Sequence, residues 1–151
     1  MAGNITAKMR MSGTRAGMVF FDSNILLYAD DKRFPEKQQL AEQLIRSHRK
    51  NNTGVVSLQV LQEFYSNATR KLKLDPFIAR LKVDIFSRFR LVEPNLSDVL
   101  MAVQLSQTSR INYWDAMIVH CARKSGCSSV LTEDLNHGQV VDGVRIVNPF
   151  L

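Results

Sequence analysis

The sequence is poor in the residues that mark several common protein classes. It contains two cysteines, four prolines and seven glycines among 151 residues. Cys121 and Cys127 form no Cys-x-x-Cys motif and have no second pair, so neither a zinc finger nor a disulfide framework is indicated. No apolar run approaches the roughly 18 residues that span a bilayer. The N-terminus also lacks the apolar segment of a secretory signal. We therefore expect a cytoplasmic protein with reduced thiols and no membrane contact.

Acidic residues are also under-represented, since 14 Asp and Glu face 20 Lys and Arg and give a net charge of +6. Residues 1–17 contain three basic residues and no acid, so they hold +3 of this charge and residues 18–151 hold the other +3 (6 − 3). The excess favours a polyanionic partner only weakly. We predict a flexible basic tail over 1–17 and one globular domain over 18–151, because 45% of the residues are hydrophobic and only 23% are charged.

Short apolar runs alternate with amphipathic segments along this domain. The runs predict five strands, at 18–21, 55–56, 91–92, 129–131 and 145–147. Segments with helical spacing predict helices over 36–50, from Ser57 to about Lys73, from Asp75 to about Phe89, from Ser97 to Leu105 and from Asn112 to Lys124, with the last four opened by N-caps. This alternation is typical of an α/β fold with a largely parallel sheet.

Four carboxylates stand at separate, well-marked positions in this pattern. Asp22 follows the first predicted strand, Asp134 follows the fourth, and Asp115 lies in the first turn of an apolar helix. Glu63 lies on the helix after the second strand. Because functional groups of open α/β sheets gather beyond the carboxyl ends of the strands, we expect these side chains to meet. Carboxylates brought together repel one another unless a cation lies between them, and a hard divalent metal suits oxygen ligands.

Three of the carboxylates also have an ordinary structural explanation, whereas Asp115, a charge in an apolar helix, needs a partner. Asp22 and Asp134 are well placed to cap turns, and Glu63 alone fits a solvated helix face. The order favours function, because spacings of 41, 52 and 19 residues fit successive βα units and exclude one local calcium loop. No EF-hand or Walker motif is present, and the absence of a glycine after the first strand disfavours a dinucleotide site.

Five segments, in this order, resemble the PIN-domain nucleases, and within them the VapC-type ribonuclease toxins of bacterial toxin–antitoxin pairs. The matching segments are Phe21-Asp22-Ser23-Asn24-Ile25-Leu26, Leu58-Gln59-Val60-Leu61-Gln62-Glu63-Phe64-Tyr65, Tyr113-Trp114-Asp115-Ala116-Met117-Ile118, Leu131-Thr132-Glu133-Asp134-Leu135 and Ile146-Val147-Asn148-Pro149-Phe150. No single motif is specific, but the ordered set covers about residues 18–151.

The resemblance implies a three-layer α/β/α fold with a mostly parallel five-stranded sheet and an acidic pocket that binds Mg²⁺ or Mn²⁺ and cleaves RNA. Asp22, Glu63 and Asp115 take the three core acidic positions, and Asp134 takes a more variable fourth. We expect Asp22 and Asp115 to ligate the metal, with Glu63 and Asp134 binding directly or through water. Ser23, which replaces the Thr of many relatives, and Thr132 are supporting residues of this site.

A nuclease of this kind also needs cations for its substrate and an inhibitor for its control. The candidate RNA-binding cations are Arg70, Lys71, Lys73, Arg110, Arg123 and Lys124. Tyr65, Tyr113 and Trp114 are candidates for base stacking, although core packing is favoured for Trp114. The resemblance implies a VapB-type antitoxin, and apolar residues in helices 36–50 and 76–90 favour a homodimer. Two other functions remain open: an inert PIN-type RNA-binding or scaffold domain, and an α/β metal phosphohydrolase for small phosphoesters.

Overall fold

A computed structural model describes residues 17–151, so the predicted tail lies outside the described residues except for Gly17. The strands are β1 (Val19–Phe21), β2 (Gly54–Ser57), β3 (Arg90–Val92), β4 (Ser129–Leu131), β5 (Val140–Val141) and β6 (Val144–Val147). The helices are α1 (Ser23–Tyr28), α2 (Pro35–Lys50), α3 (Leu58–Arg70), α4 (Pro76–Phe86), α5 (Leu96–Ser109) and α6 (Tyr113–Lys124). Within the described residues, no helix combines the length and apolarity that crossing a bilayer requires.

The sheet has the strand order β3-β2-β1-β4-β6-β5, and its first five strands are parallel. The predicted α/β architecture with a mostly parallel sheet and flanking helices is confirmed. From β1 the chain moves outward to β2 on one side and later returns to β4 on the other. The strand order therefore reverses between β1 and β4, and ligands of open α/β sheets bind beyond the strands at such a point.

The antiparallel strand β5 is the one element of the sheet that the sequence analysis missed. It pairs with β6 through a two-residue turn at Asp142 and Gly143. Both residues have positive φ, 50° and 81° respectively, as a type I′ hairpin turn requires. The Asp-Gly dipeptide was the available signal, but β5 spans only two residues and has no hydrophobic period to detect.

Helix starts agree with the sequence analysis better than helix ends do. Ser57, Asp75 and Asn112 are N-caps as predicted. The prediction that Ser97 caps α5 was wrong, because Asn95 is the N-cap and forms a reciprocal capping box with Asp98. Helices α3 and α4 each end three residues earlier than predicted, at Arg70 and Phe86.

Buried aromatic packing fixes the sheet beneath the carboxyl end of β1. Phe20 and Phe21 are fully buried, and the Phe21 ring stacks on Phe89 with centroids 5.4 Å apart. Gly54 allows the Phe89 ring to take this position, since a Cβ on residue 54 would lie 2.8 Å from the ring. The close approach of β2 to Phe89 therefore requires glycine.

Candidate active site

Asp22 lies at the carboxyl end of β1, where the strand gives way to α1. Its N–H donates to the Leu131 carbonyl at 3.1 Å, which extends the pairing of β1 with β4 by one residue. Its side chain caps α1 by accepting from the Ser23 N–H at 2.7 Å and also accepts from the Thr132 hydroxyl at 2.8 Å. Only 4% of Asp22 is exposed. The carboxylate is therefore fixed at the reversal of strand order and almost removed from water.

Thr132 joins the ends of β1 and β4 into one polar centre. Its N–H donates to the Val147 carbonyl at 3.0 Å, so the backbone is held by β6. While its hydroxyl donates to Asp22, the same oxygen accepts from the Asp134 N–H at 3.0 Å and from Asn24 Nδ2 at 3.3 Å. Thr132 thus positions the turn that carries Asp134, whose side chain is exposed.

Glu63 reaches the same centre from α3. Its Oε2 accepts from the Ser23 hydroxyl at 2.8 Å, and its Oε1 accepts from Gln59 Nε2 at 2.9 Å. Gln59 and Glu63 are four residues apart and therefore neighbours on the helix surface. Ser23 links the two acids, because its N–H binds Asp22 and its hydroxyl binds Glu63. Glu63 is thus an anchored carboxylate and not a freely solvated one.

Asp115 enters from the N-terminal turn of α6. Asn112 caps this helix by accepting from the Asp115 N–H at 2.9 Å, and its Nδ2 donates to Asp115 Oδ2 at 2.5 Å. The side chain of Asp115 is half-buried. A hydrogen bond of 3.4 Å from Gln59 to the Trp114 carbonyl connects this turn to α3. The same glutamine therefore contacts Glu63 and the helix start that presents Asp115.

The four carboxylates share one electrostatic neighbourhood. Burial raises the pKa of Asp22 to about 7, and the negative charges of Asp134 and Glu63 push it in the same direction. Burial also raises the pKa of Asp115, again with repulsion from Asp134 and Glu63. The structure thus brings together the four acids that the sequence singled out, and their mutual repulsion favours binding of a cation.

The donor set suits a hard divalent ion, although it does not form a closed ligand shell. Within residues 17–151, no three His, Cys, Asp or Glu side chains converge tightly enough to ligate one ion together. Mg²⁺ does not need such a shell, because it retains several waters and commonly uses one or two carboxylates. All candidate donors here are oxygens, and a cation would stabilise the charged forms of Asp22 and Asp115, whose pKa values are raised mainly by burial and further by the neighbouring acids. The residues therefore fit Mg²⁺ or Mn²⁺.

The predicted RNA-binding cations have unequal positions. Lys71 lines a pocket together with Asn24, which donates to Thr132, the hydrogen-bond partner of Asp22. Arg70 donates to Asn67 in the same pocket wall at 3.1 Å. Lys73 and Arg110 are exposed residues with left-handed backbone conformations at the ends of α3 and α5.

The expectation that Trp114 packs in the core was wrong. Its side chain is 62% exposed, beside the partly buried Tyr113, with ring centroids 5.0 Å apart. Helix α6 is buried on all sides from Ala116 to Ala122, whereas Trp114 lies in the first turn, ahead of that buried stretch. An exposed indole next to Asp115 is available for stacking.

Several polar partners of the site escaped the sequence analysis. Asn24 and Gln59 lay in the matching segments but had no assigned role, and Asn112 was expected only as a cap. The spacing of Gln59 and Glu63 was the one usable signal, since residues four apart on a helix face each other. Lys37 and Tyr28 bind Glu133, next to Asp134, across more than 90 residues of sequence, a contact that only the tertiary fold creates.

Comparisons with known proteins agree with this geometry. The PIN domain family matches residues 19–142. Solved structures also match: VapC20 from Mycobacterium tuberculosis, a sarcin–ricin loop cleaving toxin, aligns with a TM-score of 0.61 and 18% identity over 77% of this chain and 91% of its own. A toxin–antitoxin complex from Klebsiella pneumoniae aligns with a TM-score of 0.62 and 18% identity over 87% and 97%. DNA-bound VapBC from Salmonella typhimurium aligns with a TM-score of 0.62 and 19% identity over 85% of this chain and 96% of its own.

At these identities the structural matches establish a shared fold. A search of curated protein sequences finds no match to this chain.

Proposed function

Because the chain belongs to the PIN domain family, we propose that it is a Mg²⁺- or Mn²⁺-dependent endoribonuclease and the toxin of a VapBC-type pair. One observation carries the proposal: Asp22, at the reversal of strand order, and Asp115 are both partly withdrawn from water, and each also feels the charges of Glu63 and Asp134. Such a site favours a divalent cation and, with it, a polyanionic substrate. We also propose that the enzyme acts in the cytoplasm, where its RNA substrates are.

In this proposal Asp22 and Asp115 hold the ion directly, while Glu63 and Asp134 bind it directly or through water. A bound divalent ion supplies a Lewis acid that lowers the pKa of a water and offsets charge on the reacting phosphate. Ser23 keeps Glu63 in place through its hydroxyl, and Thr132 keeps Asp22 in place. Because hydrogen bonds already orient these side chains, little ordering remains when metal and RNA bind.

The first test is cleavage of RNA by purified protein. We expect the wild type to cut single-stranded RNA with Mg²⁺ or Mn²⁺, and Asp22→Asn to lose about 100-fold or more of the rate, since ligand and supporting residues of metal sites commonly have effects of this order. Asp84→Asn is the matched control, because Asp84 lies exposed on α4, where it pairs with Arg88. Repurified Asp22→Asn that still cuts at the wild-type rate would overturn the mechanism.

Two further measurements separate the alternative functions. Calorimetric titration with Mn²⁺ should give a saturable site in the wild type that Asp22→Asn weakens. A wild type that binds no Mn²⁺ and cuts no RNA would indicate an inert RNA-binding or scaffold domain. Faster hydrolysis of p-nitrophenyl phosphate esters than of RNA would instead indicate a small-molecule phosphohydrolase.

The toxin assignment requires a partner. Three solved structures of similar fold are described as toxin–antitoxin or VapBC complexes. By analogy we propose a VapB-type antitoxin for this chain, encoded beside it. Co-expression should yield a co-purifying complex that restores growth, whereas the Asp22→Asn variant should be harmless alone. Mapping RNA ends after brief induction, beside that variant, would identify the RNA that is cut.

A further inference from the structure

A pocket between α1 and α3 lies beside the carboxylate site, to which Asn24 links it through Thr132, and has no role in the chemistry described above. Its walls include Asn24, Leu27 and Tyr28 on one side and Asn67, Lys71 and Leu72 on the other. We propose that it binds one unpaired pyrimidine base of the substrate RNA, next to the phosphate that is cut. The proposal rests on the ribonuclease function and adds the part of the substrate that determines sequence preference.

The pocket is connected to the carboxylate site along α3. Glu63, Asn67 and Lys71 follow one another at intervals of four residues, which places them along one stripe of a helix. The stripe starts at the carboxylate bound to Ser23 and ends about 12 Å away, at 1.5 Å per residue. Asn24 lies in the opposite wall and donates to the Thr132 hydroxyl, which in turn donates to Asp22. A nucleotide strand that leaves the site along α3 therefore passes over the pocket.

The volume of the pocket suits one pyrimidine ring. The pocket has a volume of about 160 Å³. A cavity of about 150 Å³ holds benzene, so this one suits a single six-membered ring better than the fused rings of a purine. Leu27 and Leu72 provide apolar walls, and Phe34 at the rim is 45% exposed and able to stack on a base.

The amide side chains in the pocket wall are not fully hydrogen-bonded within the described residues. Asn24 Oδ1 has no hydrogen-bond partner among the described residues, but it is closed to solvent and therefore also to a ligand in this conformation. Asn67 uses its Oδ1 to accept from Arg70, and its Nδ2 donates to no other described residue. Asn67 Nδ2 is therefore the free amide donor of the pocket, and it suits the acceptor atoms on the edge of a pyrimidine base.

The cation at the far end completes the site. Lys71 is exposed and forms no ion pair within residues 17–151. Arg33, by contrast, is paired with Asp31, because its Nε and Nη2 donate to the two carboxylate oxygens at 2.8 Å. Lys71 is therefore the free charge at this pocket and is positioned for the phosphate that follows the bound base.

The test uses a pool of short RNAs with random positions on both sides of the cut. The wild type should prefer pyrimidines about tenfold at one flanking position, a factor expected from one or two hydrogen bonds. Leu72→Phe, which fills the pocket, and Asn67→Ala should each reduce that preference to near one while the chain still cuts RNA. Arg49→Gln, which removes an exposed cation from α2, is the control and should keep it. An absent preference, or one unchanged in both variants, would overturn the proposal.

A second measurement separates this proposal from the proposed nuclease function. Cytidine 5′-monophosphate, titrated into ¹⁵N-labelled protein, should shift the side-chain amide signals of Asn24 and Asn67, and adenosine 5′-monophosphate should shift them less. If the nucleotide shifts these signals but the protein cuts no RNA, the pocket proposal is supported and the nuclease assignment is wrong. If the protein cuts RNA without base preference or amide shifts, the nuclease assignment is supported and the pocket proposal is wrong. If neither cleavage nor amide shifts are observed, both proposals are wrong.

Discussion

Asp22 illustrates how a single residue can be unfavourable for the fold and suited to function. Its carboxylate is buried among the ends of β1 and β4, with Glu63 and Asp134 close enough to repel it. Two hydrogen bonds oppose this effect but do not cancel it, so the pKa rises to about 7. A site of this kind stores free energy that a bound cation can recover.

The raised pKa predicts a pH-dependent stability difference between the wild type and Asp22→Asn in chelator. Between pH 4 and pH 7 the folded wild type binds the Asp22 proton more tightly than the unfolded chain does, since the pKa rises from 3.8 to about 7. Stability from this group is therefore lost as pH rises through that window. The asparagine does not titrate, so at pH 8 the variant should be more stable by about 4 kcal/mol, with the advantage vanishing near pH 4.

Urea unfolding with EDTA at pH 4.5, 6 and 8 measures the difference. Exposed Asp84→Asn serves as the control and should show no such dependence on pH. A stability difference between Asp22→Asn and wild type that stays constant across these pH values would contradict the argument. Saturating Mn²⁺ should reverse the order at pH 8, because it binds the wild type preferentially.

At this scale the sequence predicted acids well and their amide partners poorly. Asp22 and Asp134 could be located because each ends an apolar run, and Asp115 because it interrupts an apolar helix. Asn24 and Gln59 could not, since an amide in a helix has no preferred environment that the sequence reveals. Trp114 was misplaced because the apolar residues that follow it are buried, whereas the first turn of α6 reaches the surface.

At the scale of elements, Lys37 on α2 connects three separate segments near the fourth carboxylate. Its ammonium lies 2.6 Å from Glu133 Oε1 and 4.7 Å from the centroid of the Tyr28 ring. The Tyr28 hydroxyl donates to Glu133 Oε2 at 2.7 Å, and the ring of Phe150 lies 5.3 Å from the ammonium. We call Lys37, Tyr28, Glu133 and Phe150 the Lys37 clamp. It holds Glu133, and with it the turn between Thr132 and Asp134.

Removing the clamp should weaken metal binding more than it weakens the fold. Lys37→Met keeps most of the length of the side chain but removes its charge, which frees the turn that carries Asp134. We expect Mn²⁺ affinity to fall about tenfold, as for other residues that position metal ligands, and Lys37→Arg to restore most of it. Calorimetric titration measures the affinity, and thermal unfolding measures the fold.

Lys82→Met is the matched control for this change. Lys82 pairs with Asp30 at 2.7 Å, and its side chain is 30% exposed, against 34% for Lys37. Both substitutions remove one partly buried ion pair, but only Lys37 contacts the turn. Equal losses of Mn²⁺ affinity in the two variants, or none in Lys37→Met, would show that the clamp does not position Asp134.

The elements themselves were the most predictable level of the structure. Alternating strand and helix patterns and three of four N-caps identified the architecture, because each follows from local hydrogen bonding and hydrophobic period. The capping box at Asn95 and the hairpin at Asp142-Gly143 were equally local but were overlooked. Contacts such as Lys37 with Glu133 depend on how distant elements pack, and no local pattern encodes them.

At the scale of the whole molecule, the exposed apolar surface differs from the sequence expectation. Helices 36–50 and 76–90 were expected to expose apolar residues for self-association. Among the described residues of α2, none of the large exposed apolar side chains occurs, whereas α4 presents Phe77, Ile78 and Leu81. Phe77 is 64% exposed. A contiguous exposed apolar patch marks an interaction surface, so the homodimer we propose would bury α4.

The dimer is tested by light scattering coupled to size exclusion. The wild type should elute with twice the mass of one chain, and Phe77→Glu with Leu81→Glu should give monomers, since each buried charge at an interface is strongly unfavourable. Leu100→Glu on α5 is the control: this exposed leucine lies on another helix, so its charge should leave the dimer intact. A monomeric wild type would exclude self-association of this chain alone. A dimer that survives the double substitution would place the interface away from α4.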